Sequence, residues 1–374
     1  MTTLIAWRNL IHDPVRFAAT LIGIIFSVVL MAVQAGMLLG FAETTTGLVR
    51  QSRANIWLVP RGTTNVDQSA ILPQRTYFQA LKTAGVAEAA RHIVRFVSWR
   101  LPRGGSQLVI VVGFDPVSGL AGPWNVVEGS VAALSAPHMV MIDRLYAAKL
   151  GVRAIGDSVE ISGRRAIVAG FTQGARTFTQ APYVFTSYAN ALRYTEVLDG
   201  DASYVLVRAQ PGIALAPLVA RLQAAAPNTD VMTAEAFAAK TRDYWIFTTG
   251  AGSALIMGAS LGALVGIVIV AQTLYAATLE RIGEYATLAA IGAGHGYLSA
   301  IVIKQALICG AAGYGIAALV ALSIAFAARG APAAILFTPS ALGLLAVAAL
   351  LMCCLSALIA IRKLSTIDPT SVFR

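Results

Sequence analysis

Glu280, Arg281 and Glu284 stand within about one helical turn of each other, between two long apolar runs, at a spacing that supports ion pairs on one side of a helix. Ile282, Leu288 and Ile291 offer apolar contacts beside them, and Gly292-Ala293-Gly294 forms a glycine-rich exit. Such a set can form ion pairs and apolar contacts. Taken alone, it could equally be an ordinary amphipathic connector. A second group of polar residues, Gln34, Gln272, Lys304 and Gln305, is embedded in apolar runs. Polar groups in that setting either hydrogen-bond helices together or line a path for substrate. A path usually shows several ionisable groups facing one another, so helix joining is the expectation here.

Other chemistries lack their residues. A P-loop needs Gly-x-x-x-x-Gly-Lys-Ser/Thr, and the chain contains no Gly-Lys pair. No His-Glu-x-x-His occurs, and His12, His92, His138 and His295 are scattered, so no metal site is expected. The apolar runs hold no Asp, Glu or His with which an intramembrane protease could work. Gly113, Gly151, Gly156, Gly163 and Gly170 never assemble a Gly-x-Gly-x-x-Gly fingerprint and read as turns, as does Asp115-Pro116. No catalytic, cofactor-binding or metal-binding residue is assigned, and the chain reads as a non-enzyme.

The elements that must position these residues are set by composition. Hydrophobic residues make up 57% of the chain and charged residues 12%, which fits an integral membrane protein. Phe17 to Phe41 carries no charge and, at roughly 1.5 Å per residue, can cross a hydrocarbon core of about 30 Å. Its apolar run exceeds the usual signal-peptide core of about 7 to 15 residues, so it is read as an anchor. Trp245 to Thr278 is longer than a bilayer needs and is expected to continue as a stalk. Leu298 to Ala328, with Lys304 near one end, and a run within Ile335 to Ile361 complete a one-plus-three set of four transmembrane α-helices.

The resulting division is an amphipathic helix at 1–16, a first span at 17–41, a large α+β extracytoplasmic domain at 42–244, a second span and stalk at 245–277, a connecting segment at 278–296, a third span at 297–328, an outer loop at 329–338, a fourth span at 339–361 and a tail at 362–374. Basic residues flanking the spans place both termini in the cytoplasm. The net charge of +10 then reflects headgroup contacts, and no basic tract points to nucleic acid. Cys309, Cys353 and Cys354 fall within spans, so the inserted domain has no disulfides.

Within that domain, Ile93–Trp99, Gln107–Val112, Met139–Ile142, Arg165–Val168, Tyr183–Phe185 and Tyr204–Val207 read as strands. Tyr77–Thr83, Arg144–Leu150, Ala216–Ala225 and Ala234–Arg242 read as helices. In the second span Ala254, Gly258, Gly262 and Gly266 recur every four residues, and Gly36 and Gly40 repeat the spacing in the first. Faces this bare let backbones approach closely, either across a homodimer or within one bundle.

The run Glu284-Tyr285-Ala286-Thr287-Leu288-Ala289-Ala290-Ile291-Gly292 resembles the signature of FtsX-like permeases, the membrane subunits of MacB-type ABC transporters. Further parallels are Trp7-Arg8-Asn9-Leu10, Asp13-Pro14-Val15-Arg16, Ile56-Trp57-Leu58-Val59-Pro60, Gly113-Phe114-Asp115-Pro116, Ile142-Asp143-Arg144, Tyr244-Trp245 and Gln272-Thr273-Leu274-Tyr275. The resemblance covers essentially the whole chain and is nearest the DevC-like branch, from which Ala289 and Ala293 depart. It implies that Glu280, Arg281, Glu284, Tyr285, Thr287, Leu288, Ile291 and Gly292 meet a separate cytoplasmic ATPase, which would hold ATP and Mg. It also implies a homodimer in the bacterial inner membrane, a periplasmic adaptor and an outer-membrane channel, with export of a lipid-like or small molecule by mechanotransmission. Two relatives in the same topology offer other roles: a transmembrane regulator of an envelope enzyme, and a lipoprotein-releasing permease.

Overall fold

The computed structural model describes residues 2–68, 70–280, 283–284, 287–288, 291, 293–330 and 335–364. Arg281, Tyr285 and Gly292 of the expected contact set lie outside them. In chain order the helices are α1 (Thr2–His12), α2 (Pro14–Arg50), α3 (Gln74–Leu81), α4 (Ala147–Leu150), α5 (Tyr188–Tyr194), α6 (Leu215–Ala225), α7 (Ala234–Asp243), α8 (Ala251–Glu280), α9 (His295–Ala327) and α10 (Pro339–Leu364). The strands are β1 (Ile56–Pro60), β2 (Val86–Arg100), β3 (Ser106–Phe114), β4 (Val126–Gly129), β5 (Met139–Asp143), β6 (Ser158–Ile161), β7 (Arg164–Thr172), β8 (Tyr183–Ser187), β9 (Tyr204–Ala209) and β10 (Thr229–Thr233). They sort into two compact units, a helical one and a mixed one spanning Phe41–Ala251.

In the helical unit, α2, α8, α9 and α10 are long and apolar enough to cross a membrane. Asp13 separates α1 from α2: its carboxylate accepts the Arg16 backbone N–H at 3.1 Å, and Pro14 takes the first helical position, where a missing N–H costs nothing. The first membrane helix is longer than the expected 17–41, because α2 continues to Arg50. The hydroxyls of Thr44, Thr45 and Thr46 fold back onto the Phe41 and Ala42 carbonyls, so these β-branched residues are satisfied inside a helix. The second membrane helix is shorter than expected. It starts at Ala251 instead of Trp245, since Tyr244–Thr248 forms a separate π-helical turn and Gly250, at φ 77°, breaks the chain direction. Both helices exceed the roughly 20 residues that a bilayer core needs, and the first, at 37 residues against 30, is the longer.

The glycine face of α8 is filled by α2 and α10 of the same chain. A Cβ at Gly258 would lie 2.9 Å from the Gln34 amide, one at Gly262 3.3 Å from Leu30 and Met31, and one at Gly266 2.8 Å from Ser27 Cβ. Gly36 is closed over by Ile335 and Phe337, and Gly40 is buried, whereas Ala254 is exposed and takes no part in the seam. Ile24 and Val28 of α2, Val270 and Leu274 of α8, Ile301 of α9 and Met352 of α10 fill the bundle core. The Ser356 hydroxyl adds an interhelical bond to the Ile267 carbonyl at 3.0 Å.

In the mixed unit, the strands run β10-β1-β9-β2-β3-β8-β5-β7-β4 among the described residues, with β6 against β2 and β7. β3 pairs with β8, and β5 with β7, in parallel; the other pairs are antiparallel. The strand β2 serves both halves, pairing with β9 through His92 and with β3 from Ile93 onward. One apolar core gathers Ile56, Leu58, Val205 and Val207 with Leu218 and Leu222 of α6. Another gathers Val109, Val111, Val140, Ile142, Val168 and Val184 with Ala191 and Tyr194 of α5. Trp57, Tyr204 and Phe237 anchor a third.

Candidate coupling site

The charges that the sequence places far apart converge in the helical unit. Arg16 at the start of α2 and Glu280 at the end of α8 form a two-pronged ion pair, with Arg16 Nη2 donating to Glu280 Oε1 at 2.6 Å and Nη1 to Oε2. Guanidinium and carboxylate are both planar, so this fork fixes the relative angle of two helix ends as well as their spacing. Asp13 Oδ2 lies 3.7 Å from Arg16 Nε on the other side.

Around that pair is a cavity of about 240 Å³, lined by His12, Asp13, Arg16, Glu280, Glu284 and Gln305 among others. Residues 283–284 and 287–288 are helical, with the Thr287 hydroxyl donating to the Gly283 carbonyl at 2.8 Å. The turn beyond them is closed by Ile291 N–H to the Thr287 carbonyl at 3.1 Å and Ala293 N–H to the Leu288 carbonyl at 2.9 Å. Leu288 packs on the bundle core, while Glu284 and Thr287 are exposed and Ile291 is 80% exposed.

The helix α1 lies against α9, with Ala6 buried and Ile5 and Leu10 packed on the bundle. Lys304 Nζ secures its start by donating to Thr2 Oγ1 at 2.5 Å and Thr3 Oγ1 at 3.0 Å. Of the four embedded polar residues, Gln305 is buried and lines the cavity, Gln34 packs on Gly258, and Gln272 is exposed on α8. They form no path of facing charges. Arg16 is the partner that sequence spacing missed: nothing local marks a pairing across 264 residues. The Asp13-Pro14-Val15-Arg16 run was the available signal.

Among the buried ionisable groups of the mixed unit, Asp67 and His92 are shifted in opposite directions. Burial pushes the Asp67 carboxyl up to about 6, partly opposed by the Trp245 indole, which faces it without an aligned hydrogen bond. Burial lowers His92 to about 3; the Gly113 backbone, out of line for a hydrogen bond, offsets little of this. The two pull in opposite directions. Asp67 is protonated in the fold where the unfolded chain is already ionised, so its contribution is complete below about pH 4 and lost as pH rises through 6, about 3 kcal/mol in all. His92 contributes above its unfolded value of 6.5, and that contribution falls as pH drops toward 3. Asp67→Asn should therefore raise the thermal midpoint at pH 7.5 and leave it nearly unchanged at pH 4. An equal shift at both values would show that ionisation of Asp67 is not the cause. Among the described residues no cluster of His, Cys, Asp and Glu could hold a metal.

A family profile described as the MacB-like periplasmic core domain matches residues 17–225, more than half of the chain. A second, the FtsX-like permease C-terminal region, matches residues 256–369. The periplasmic region of MacB from Actinobacillus actinomycetemcomitans is similar in structure at 11% identity and a TM-score of 0.38, over 50% of this chain and 91% of that one. The extracellular domain of the noncanonic ABC-type transporter YknZ from Gram-positive bacteria is similar at 14% identity and a TM-score of 0.35, over 48% of this chain and 98% of that one. No curated protein matches in sequence. With four membrane-crossing helices and an α+β domain between the first and second, the chain belongs to the ABC transporter permeases of the MacB and FtsX kind.

Proposed function

We propose that this permease is the membrane subunit of an exporter, bound at residues 280–291 by a separate cytoplasmic ATPase that carries the ATP and Mg. The observation that supports this reading is the convergence of Asp13, Arg16, Glu280 and Glu284 around one cavity. A partner docking there would touch the ends of α2 and α8 together. It drives a change only if it binds two arrangements of those ends with different affinity. The mixed unit would face the periplasm of a bacterial inner-membrane protein with both termini cytoplasmic. There it would meet an adaptor that leads to an outer-membrane channel, and move a lipid-like or small-molecule cargo.

A second copy of the chain would lie against the outward face of α8. Met257, Leu261, Leu264 and Val268 are exposed there in line with Gln272, whose amide finds no partner among the described residues. A carboxamide in hydrocarbon gains from a matching amide across a twofold axis. The homodimer is thus assigned to this face, because the glycine face is already filled.

The test is co-purification with the ATPase and substrate-stimulated ATP hydrolysis in proteoliposomes. Glu284→Lys keeps an exposed position and reverses its charge, and is expected to lower retention of the ATPase by about tenfold, a coupling of about 1.4 kcal/mol. Unchanged retention and unchanged hydrolysis would sink the assignment of this surface.

A further inference from the structure

The strand β2 has an interrupted edge. It pairs with β9 as far as His92 and with β6 from Trp99, so residues 93–98 have β3 as their one partner strand among the described residues. On the open side Val94 is closed off by Ser203, whose hydroxyl accepts the Val94 N–H at 3.1 Å and donates to its carbonyl at 3.3 Å. The Ser98 carbonyl accepts the Ser162 N–H at 2.8 Å. Backbone groups alternate along a strand, so the Phe96 N–H and C=O point to this same side, between the two closed positions. Ile110, opposite Phe96 on β3, agrees with that phase because its own N–H turns away to the Pro182 carbonyl at 2.9 Å.

That edge opens into a cleft rich in arginine. A cavity of about 740 Å³ is lined by Arg95, Phe96, Arg164 and Arg193, with Val97 and Val197 as apolar floor. Through Arg95 and Phe96 it continues into a second cavity of about 520 Å³ that reaches Arg61. Among the described residues, Arg61, Arg164 and Arg193 form no ion pair. The carboxylates in these linings are Glu196, which is exposed, and Asp67, which is buried. The cleft is therefore cationic, elongated and floored by a strand edge. A small anion would need one arginine and no strand edge, and an acyl chain would gain nothing from polar main chain. An extended polypeptide uses all three features: main-chain bonds supply affinity and alternate side chains reach the arginines.

We propose that this cleft receives an extended acidic segment of a partner polypeptide, whose backbone pairs with Phe96 and whose carboxylates meet Arg61, Arg164 and Arg193. The proposal rests on the exporter reading only in requiring a partner on the side of the mixed unit. It is independent of how the ATPase docks.

The probe is a fluorescently labelled octapeptide of alternating Glu and Val, titrated into the full chain in detergent and followed by anisotropy. Arg164→Glu and Arg193→Glu are each expected to weaken binding by about tenfold or more, as loss of a close interfacial charge pair does. Arg103→Glu, in the exposed β2–β3 turn outside the cleft lining, should leave it unchanged. The same peptide methylated on alternate amide nitrogens keeps its charge but cannot complete the ladder, and should also bind about tenfold more weakly. The proposal is overturned if the unmodified peptide fails to bind, if Arg103→Glu weakens it as much as the cleft variants, or if the methylated peptide binds equally well. Displacement by equimolar inorganic phosphate would overturn it too, marking a simple anion site. Stimulated ATP hydrolysis is read separately with the Glu284 variant, so failure of the cleft and failure of the coupling surface are distinguishable.

Discussion

Trp57→Ala is expected to destabilise the mixed unit by about 3–5 kcal/mol, the range for deleting a fully buried large aromatic. Trp57 has no exposed surface and lies 5.3 Å from Tyr204, 5.3 Å from Phe237 and 5.8 Å from His92, centroid to centroid. Removing it empties the place where β1, β2, β9 and α7 meet. The cavity would be lined partly by His92, whose unpartnered ring nitrogens could hold an entering water and offset only part of the lost packing. Trp57→Phe makes the argument specific. The indole N–H is buried without a partner, so phenylalanine loses volume but also removes an unsatisfied donor and should cost clearly less. Urea titration of the full chain in detergent, followed by near-ultraviolet circular dichroism, compares the two. Equal losses would mean that packing around the ring is not what matters.

Charge reversal at the α2–α8 ion pair should leave the fold standing and disable coupling. The Arg16 side chain is 29% exposed and that of Glu280 60%, and pairs this open contribute only about 0–1 kcal/mol to stability. Their geometry matters more than their energy, because the fork holds two helix ends at one angle. Arg16→Glu or Glu280→Arg alone sets like charges against each other where the exporter reading places the motor. Each is expected to lower substrate-stimulated ATP hydrolysis by about tenfold or more, within the 1–3 kcal/mol typical of site-to-site coupling. The swap of both residues restores an ion pair and should recover most of the rate. Thermal midpoints in detergent should move little across all three variants. A double variant no better than the singles would place the role of these residues elsewhere.

What could be read from the sequence followed from how local each signal was. The membrane helices announce themselves through uncharged runs, and β3, β5, β7, β8 and β9 through dense Val, Ile and aromatic residues. Near the start of β2, Ala87-Glu88-Ala89-Ala90 are good helix formers, and only pairing with β9 makes them strand. β4 is almost wholly exposed, and β10 reads Thr-Asp-Val-Met-Thr, so neither carries an apolar pattern. β1 is buried on both faces and ends at Pro60, so it shows no apolar–polar alternation. The ends of the first two membrane helices were not legible, because an uncharged run says nothing about Gly250 taking positive φ, or about three threonines bonding back into α2. At the candidate site the spacing of Glu280 and Glu284 marked a charged helix side, and only the family resemblance pointed to a contact there. Arg16 and the arginine cleft depend on contacts between distant segments, which no window of sequence contains.

The shared strand β2 also bears on how the mixed unit comes apart. Its two halves each have an apolar core, which would ordinarily let one melt while the other persists. Here the ladder of either half ends on the same fifteen residues, and losing β9 or β3 strips a partner from a strand the other half needs. The two cores are thereby tied into one cooperative block, and slow hydrogen exchange should continue across His92 and Ile93, where one ladder hands over to the other.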